Sequence, residues 1–317
     1  MKTLWKLLAV TLIALSGAAF AQDGYPNQPL KIVVPTNTGG SIDTLARIFQ
    51  KKIDAMGIYP SVIVVNQPGA GGTIGTRAVK DADPDGYTIG VWQPGIITSK
   101  AMGVVDYDHT AFTVLGGTAK TEIGMGVLDS SVYKTPGDLV AASKTKPNSV
   151  AVATNIGLPV HFIPLMFASE AGIQMKFVQI GGGSKRLASI LGGHTDTGLF
   201  SVSEFQRFKE SGLRPLFLYA DRRDPSLPNV PTAKESGVNL QISVFRLWLA
   251  PKGLDPKVQA KLQDVLKGVV SDPEIIAQLE GMSINPGWLH ADEVMARLDE
   301  MKNRAEPLAA AARSLTK

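Results

Sequence analysis

The chain has 317 residues, which is enough for two domains of ordinary size. It contains no cysteine, and this excludes disulfides, thiolate metal sites and cysteine nucleophiles. The formal net charge is +4, of which two lysines in the first ten residues supply half. The excess that remains is too small to indicate a nucleic-acid partner.

The N-terminal segment has the pattern of an export signal. Its lysines precede an apolar run over residues 7–15, and Ala19-Phe20-Ala21 matches a cleavage site of the A-x-A type. We therefore expect residues 1–21 to be a signal peptide that is removed after Ala21, which predicts a periplasmic protein. No later segment approaches the ~18 unbroken apolar residues of a membrane-spanning helix.

A strand followed by a glycine-rich loop begins the mature sequence. Residues 32–34 form a β-branched run typical of a buried parallel strand, and Pro35 ends it. Two adjacent glycines follow, and apolar residues at helical spacing then begin after Ser41, the expected N-cap. Because free N–H groups and the positive end of the helix dipole point into such a loop, its geometry favours anion binding.

The same pattern recurs over residues 61–75, where an apolar strand leads into a second glycine-rich loop and a helix. Neither loop carries the lysine of a phosphate-binding P-loop. The dinucleotide fingerprint G-x-G-x-x-G fails because Ile74 stands at its third glycine. Two such loops at the carboxyl ends of neighbouring parallel strands predict a site for a smaller anion, such as a carboxylate, without a cofactor.

The rest of the chain alternates strands and helices, which is typical of an α/β fold. Further strands are expected at 88–92, 112–115, 149–154, 175–180, 196–200, 214–219 and 244–251. Helices are expected at 160–171, 184–191 and 203–211, and only helices after residue 251, at 256–270, 273–280 and from 291 onwards. We predict two lobes, each a mainly parallel sheet flanked by helices. The first domain would comprise 22–124 and 246–317, and the second 125–245, with the ligand cleft between them.

Several short motifs run along almost the whole mature chain in a fixed order. They are Tyr25-Pro26, Val34-Pro35, Gly39-Gly40-Ser41-Ile42-Asp43, Asn66-Gln-Pro-Gly-Ala-Gly-Gly72, Pro84-Asp-Gly-Tyr-Thr88, Gly157-Leu-Pro-Val-His161, Gly192-Gly-His-Thr-Asp196, Leu227-Pro-Asn-Val-Pro-Thr232 and Ala250-Pro251. In this order and spacing they resemble the substrate-binding proteins of tripartite tricarboxylate transporters, also called the Bug family.

The resemblance implies a monomeric periplasmic binding protein of the two-lobed Venus-flytrap type that captures a small organic anion without catalysis. Its partners would be the membrane subunits of such a transporter. In the family the two glycine-rich loops hold one carboxylate through N–H groups, hydroxyls and ordered waters, and the second lobe contacts the rest of the ligand. The ligand-binding residues that we expect are Thr36, Asn37, Thr38, Gly39, Gly40, Ser41, Ala70, Gly71, Gly72, Thr73, Asn155, Gly157, His161, Gly181, Gly182, Phe200, Ser201 and Arg246.

The chain departs from the family pattern where a ligand would be contacted. Thr36 replaces a common phenylalanine, Gln179-Ile180 replaces a frequent Pro-Tyr, and Phe245-Arg246 stands where a tryptophan is usual. Ser201 takes the place at which amino-acid-binding relatives can carry an acid. With Phe200 and Phe245 as apolar walls and Arg246 as a cation for a second carboxylate, these changes favour a dicarboxylate with an aliphatic or aromatic spacer over an amino acid.

Other conspicuous residues leave alternatives open. The four histidines have no metal-binding spacing, and His161 fits either helix packing or ligand contact. Asp43 would repel an anionic ligand, so we assign it to the shape of the first loop. Lys185-Arg186 fits either a solvated face or an anion contact. A sensor that feeds a membrane receptor would need the same cleft, whereas an exported enzyme lacks support because no nucleophile–base pair is evident.

Overall fold

The computed structural model describes residues 24–282 and 284–315, and the expected signal peptide lies outside them. The described residues form eleven strands and eleven α-helices. The strands are β1 Leu30–Val34, β2 Val62–Asn66, β3 Thr88–Trp92, β4 Phe112–Thr121, β5 Ile123–Leu128, β6 Ala151–Thr154, β7 Lys176–Gln179, β8 Thr197–Ser201, β9 Leu213–Leu218, β10 Val244–Pro251 and β11 Asn285–Leu289. The helices are α1 Ser41–Met56, α2 Thr73–Lys80, α3 Gly95–Ala101, α4 Pro136–Thr145, α5 Pro159–Glu170, α6 Gly183–Leu191, α7 Val202–Phe208, α8 Pro256–Val270, α9 Pro273–Gly281, α10 Ala291–Ala305 and α11 Ala309–Ser314.

Six strands form the first sheet, in the order β11-β4-β10-β3-β1-β2. β1 pairs in parallel with β2 and β3, whereas β10 runs antiparallel to β3 and β4 and β11 runs antiparallel to β4. All of β3 is buried, and Lys31 is the one exposed residue of β1. The largely apolar sequences of these strands match their central places in the sheet.

Five strands form the second sheet, in the order β7-β6-β8-β5-β9. β6 pairs in parallel with β7 and β8, and β5 runs antiparallel to β8 and β9. A helix connects β6 to β7 and another connects β7 to β8. These connections form the βαβ units that the alternating sequence pattern predicts.

The path of the chain brings the carboxyl ends of the parallel strands of both sheets to one junction. β4 ends at Thr121 and β5 begins at Ile123, so Glu122 alone links the two sheets there. The chain returns at Val244, which pairs with Thr121. Since β10 is antiparallel to both β3 and β4, the strands β1 to β4 share one direction and end at this junction. β6, β7 and β8 run opposite to β5, which leaves the junction, and so they also end there.

Both sheets are mixed: β1 to β4 share one direction in the first sheet, and β6 to β9 share one direction in the second. Apart from the pairing of β11 with β4, the antiparallel pairings arise at β5 and β10, the strands by which the chain passes from one sheet into the other. Such a strand begins at the junction and runs away from it, opposite to its neighbours. The alternation of strands and helices does not encode this reversal, because a crossing without a helix leaves no periodic signal.

Two expectations were wrong. Ser41 is not the N-cap of α1, because Gly40 occupies the cap with extended backbone angles and Ser41 is the first helical residue. The segment after residue 251 contains β11 as well as helices. Pro286 and Gly287 argue against a strand in the sequence. They are tolerated because β11 is an edge strand with an irregular register between Asn285 and Trp288.

The main apolar core extends through both lobes, and a smaller cluster that includes Phe200, Phe205 and Leu218 lies beneath α6 and α7. The C-terminal helices α8 and α10 pack against β4, as expected. Within residues 24–282 and 284–315, none of the helices is long and apolar enough to cross a membrane.

Candidate ligand-binding cleft

The first glycine-rich loop, residues 35–40, is held by the carboxylate of Asp43. Asp43 Oδ2 accepts hydrogen bonds from the Gly39 N–H at 2.8 Å and from Arg47 Nε at 3.0 Å. The side chain is 1% exposed. Burial alone would raise the pKa of the Asp43 carboxyl, but the hydrogen bonds from Arg47, Gly39 and Asn66 outweigh it and hold the pKa below its usual value. Asp43 thus shapes the loop, as its chemistry predicted.

Asn66, the last residue of β2, also stabilises the first loop through hydrogen bonds. Its Nδ2 donates to Asp43 Oδ1 at 2.8 Å and to the Thr36 carbonyl oxygen at 3.1 Å. Its Oδ1 accepts from Arg47 Nη2 at 3.1 Å. The end of β2 therefore fixes both the backbone of the first loop and the start of α1.

The second glycine-rich loop, residues 67–72, and the helix α2 that follows it lie close to Pro35 and to β3. A methyl group on Gly75 would lie 2.8 Å from Pro35 Cα, and one on Gly72 would lie 2.2 Å from the ring of Trp92. Gly72 also has φ +94°, which disfavours any side chain. Thr73, predicted to bind ligand, donates its hydroxyl to the Ala70 carbonyl at 2.8 Å and so supports the loop backbone.

In the second lobe, His161 holds the loop after β6. The Gly157 N–H donates to His161 Nδ1 at 3.2 Å, while Nε2 is buried without a hydrogen-bond partner. The imidazole is fully buried and makes edge contacts with Phe162 and Phe177. Burial lowers the pKa of His161 to about 4, so the ring is neutral at physiological pH.

Two further side chains, Gln179 and Arg186, also set the loops of the second lobe. Gln179 Oε1 accepts from the Ile156 N–H at 2.7 Å, and Arg186 Nη1 donates to the Gly181 carbonyl at 3.0 Å. Arg186 lies 3.6 Å from Glu204. Arg186 is 6% exposed, so it does not belong to a solvated face, and its bond to Gly181 holds the loop after β7.

Phe200 and Ser201, both predicted to bind ligand, make contacts within the second lobe. Phe200 is 1% exposed and packs on Phe205 and Phe208 in the smaller apolar cluster. Ser201 is the N-cap of α7, where its Oγ accepts from the Glu204 N–H and Glu204 Oε2 accepts from the Ser201 N–H. The S-x-x-E capping box over residues 201–204 was the sequence signal that could have revealed this.

Loops of the two lobes face each other closely across the junction. A methyl group on Gly71 would lie 3.5 Å from Leu158 Cδ2, and one on Gly157 would lie 3.4 Å from Met102. The structure thus brings the second glycine-rich loop opposite the loop after β6. Gly181 and Gly182 follow β7, on the edge of the second sheet.

Arg246 is a residue of β10 whose side chain lies beside the end of the first loop. Its Nη2 lies 3.4 Å from Ser41 Oγ, and its Nη1 is buried without a partner. Burial lowers the pKa of the guanidinium to about 10, so it remains charged at neutral pH. The side chain as a whole keeps some solvent contact, whereas Nη1 is enclosed.

The described residues contain no group of three or more His, Asp or Glu side chains arranged to hold a metal ion. The cleft instead offers backbone N–H groups, hydroxyls and one unpaired cation. Such a donor set can hydrogen-bond the oxygens of a carboxylate that has left water.

Two α/β lobes with anion-binding loops at their junction define a two-lobed ligand-binding protein. The sequence model of the tripartite tricarboxylate transporter family receptor, TctC, matches residues 45–313. The chain therefore belongs to the TctC family, whose members are solute-binding proteins and not enzymes. This confirms the family resemblance and the fold class expected from the sequence.

Curated relatives and solved structures are similar along nearly their whole lengths. A UPF0065 protein of Cupriavidus necator is 27% identical over 90% of this chain and 87% of its own. BugT of Bordetella pertussis is 26% identical over 89% of each chain. A ligand-free TctC solute-binding protein from Polaromonas has a TM-score of 0.79 at 23% identity, over 90% of this chain and 99% of its own.

Two solved structures of similar fold contain a bound organic acid. MatC of Rhodopseudomonas palustris, with bound malate, has a TM-score of 0.71 at 21% identity, over 90% of this chain and 100% of its own. A second R. palustris protein, with adipate, has a TM-score of 0.73 at 22% identity, over 92% and 98%. At these identities the likeness establishes the fold.

Proposed function

We propose that the protein is a periplasmic solute-binding protein that captures a small organic carboxylate, favouring a dicarboxylate, and delivers it to a tripartite tricarboxylate-type transporter. It would act as a monomer with no cofactor. The observation that carries this proposal is the junction of two donor-rich loops, residues 35–40 and 67–72, at the carboxyl ends of β1 and β2. Membership of the TctC family supports the transport role.

The donor chemistry of the cleft favours a carboxylate. The first loop supplies N–H groups and hydroxyls, and α1 directs the positive end of its dipole toward them. Arg246 adds a positive charge beside Ser41. The structures with malate and adipate concern other proteins, but both acids are dicarboxylates and guide the choice of ligand panel.

We further propose that residues 22–124 with 246–317 and residues 125–245 move as two nearly rigid domains. The single-residue crossing at Glu122 supports this, as does the return of the chain between Leu218 and Val244. Leu158 and Gly71 are in near contact across the junction, so closure would enclose a ligand between the loops of the two lobes.

The ligand class can be tested by calorimetry with the purified protein. Matched panels of dicarboxylates, monocarboxylates and acidic amino acids should show tight binding of at least one dicarboxylate. Tight binding of aspartate or glutamate with no dicarboxylate bound would refute the proposed class. Small-angle scattering with and without the bound acid should show compaction, and an unchanged profile would argue against domain closure.

A further inference from the structure

The guanidinium of Arg246 lies beside the N-terminus of α1, although the two elements are far apart in sequence. Its Nη2 donates to Ser41 Oγ over 3.4 Å, which is a long and weak hydrogen bond. Its Nη1 is enclosed and has no hydrogen-bond partner. Ser41 directly follows Gly40, the N-cap of α1. The positive charge of Arg246 therefore lies beside the first loop, and its Nη1 group makes no hydrogen bond within the described residues.

A second buried polar atom without a partner lies near Gly40, the residue before Ser41. Thr36 Oγ1 makes no hydrogen bond within the described residues. A methyl group on Gly40 would lie 3.8 Å from it. Buried polar atoms are paired in the great majority of cases. Two unpaired ones that flank Gly40 and Ser41 therefore indicate that a ligand completes their hydrogen bonds.

No acidic side chain of the described residues compensates the charge of Arg246. The nearby acid, Asp43, already accepts hydrogen bonds from Asn66 at Oδ1 and from Gly39 and Arg47 at Oδ2. Burial is the one influence on the pKa of Arg246, and no neighbouring charge opposes it. A partly enclosed cation without a counterion is costly to the folded protein, so an anion at this position would relieve that cost.

We propose that Arg246 and the first loop bind the same carboxylate of the ligand. Arg246 is the charged half of this site, and Thr36 with the N–H groups and hydroxyl at Gly40 and Ser41 is the neutral half. This inference rests on the proposed function, and it replaces the expectation that Arg246 meets a second, distant carboxylate. A planar guanidinium pairs with a carboxylate through two N–H groups, which a neutral amide cannot match.

A matched pair of probes shows whether Arg246 binds the carboxylate held by the first loop or a second, distant carboxylate. Adipate and hexanoate have the same number of carbons, but hexanoate has a single carboxylate. If another dicarboxylate of the panel binds more tightly, that acid and its one-carboxylate analogue replace them. Arg246→Gln should weaken binding of both probes by a similar factor, on the order of 10- to 100-fold.

The outcomes of this titration separate the inference from the proposed function. If Arg246→Gln weakens the dicarboxylate alone, Arg246 holds a distant carboxylate and the inference is wrong. If both affinities are unchanged, the inference is wrong while the proposed function stands. Wild-type protein that binds no carboxylate of the panel would overturn both.

A stability measurement excludes a merely structural role for the arginine. Without ligand, Arg246→Gln should keep or raise the melting temperature, because it removes an enclosed and unpaired charge. A clear fall in the melting temperature of the ligand-free variant would overturn the inference. Lys51→Gln is the charge-matched control, since Lys51 is exposed on α1 and should leave both affinities unchanged. An equal loss of affinity in the control would mean that long-range charge alone is responsible, which would also overturn it.

Discussion

Asp43 and Asn66 share a hydrogen bond of 2.8 Å between Oδ1 and Nδ2, and this bond joins the first turn of α1 to the end of β2. Asn66 Nδ2 also donates to the Thr36 carbonyl. The two loops that follow β1 and β2 are therefore not independent. Their relative position is set by side chains that contact each other before any ligand is bound, which lowers the entropic cost of binding.

The Asn66→Ala substitution tests this coupling. It leaves Asp43 Oδ1 and the Thr36 carbonyl without a donor, so we expect the free energy of unfolding to fall by about 1–3 kcal/mol. Affinity for a carboxylate should fall as well, because the first loop loses its fixed shape. Urea unfolding and calorimetry measure the two effects. Lys51→Ala, at an exposed position of α1, should change stability by less than about 0.5 kcal/mol.

Glycines of the two loops should differ sharply in their tolerance of a side chain. Gly72→Ala places a methyl group 2.2 Å from the Trp92 ring at φ +94°, so it should cost more than about 2 kcal/mol and weaken binding. Gly40 has φ −76°, and the nearest atom to an added methyl group is 3.5 Å away. Gly40→Ala should therefore cost less than about 1 kcal/mol. Thermal unfolding of the pair checks this, and similar losses in both variants would contradict it.

Local patterns in the sequence predicted much of the fold. The β-branched run that ends at Pro35 and the glycines after it located β1, the first loop and α1, and β10 was predicted with its observed bounds. The hidden strand β11 contains a proline and a glycine that argue against a strand. These residues are accommodated because the strand lies at an edge of the sheet, a fact of tertiary structure.

The candidate site was less predictable, because it depends on pairings between distant residues. The positions of Phe200 and Arg246 illustrate this. Both faces of a sheet between helices are apolar, so the sequence could not show that Phe200 faces a core cluster. Likewise, only the position of β10 in the first sheet reveals that Arg246 lies next to Ser41.

Asp108 should stabilise the attachment of α10 in a pH-dependent manner. Its carboxylate is 2% exposed and accepts hydrogen bonds from Lys100 at 2.7 Å and from the Thr110 N–H at 2.9 Å, and Lys302 lies 3.0 Å away. Burial alone would raise the pKa of Asp108, but these partners hold it well below its ordinary value. The lowered pKa contributes stability above about pH 4, and that contribution is lost as the pH falls through the folded-state pKa.

The Asp108→Asn variant checks this contribution. At pH 7 its free energy of unfolding should be lower than that of the wild type by about 2–3 kcal/mol, because two lysines lose their charged partner. This difference in the free energy of unfolding should become smaller as the pH is lowered below about 4. Asp83→Asn, at an exposed position, is the matched control and should show no comparable gap. A gap of constant size across this range would show that charge is not the cause.

His161 should make the stability of the second lobe depend on pH in a different window. The pKa of His161 is lowered to about 4 by burial, whereas an unfolded histidine titrates near pH 6.5. The folded protein therefore takes up this proton less readily than the unfolded chain. The contribution of His161 to the free energy of unfolding is complete above about pH 6.5. It falls by about 3 kcal/mol as the pH is lowered from there toward 4.

The His161→Gln variant isolates this effect, because glutamine stays neutral and can still accept a hydrogen bond from the Gly157 N–H. The loss of unfolding free energy between pH 7 and pH 4 should be smaller in the variant than in the wild type by about 3 kcal/mol. His194→Gln, at an exposed position, should behave as the wild type does. Denaturant unfolding at a series of pH values measures all three proteins. An equal pH dependence in the wild type and His161→Gln would mean that His161 is protonated in the folded state at ordinary cost, and its enclosed position between Phe162 and Phe177 would then need another explanation.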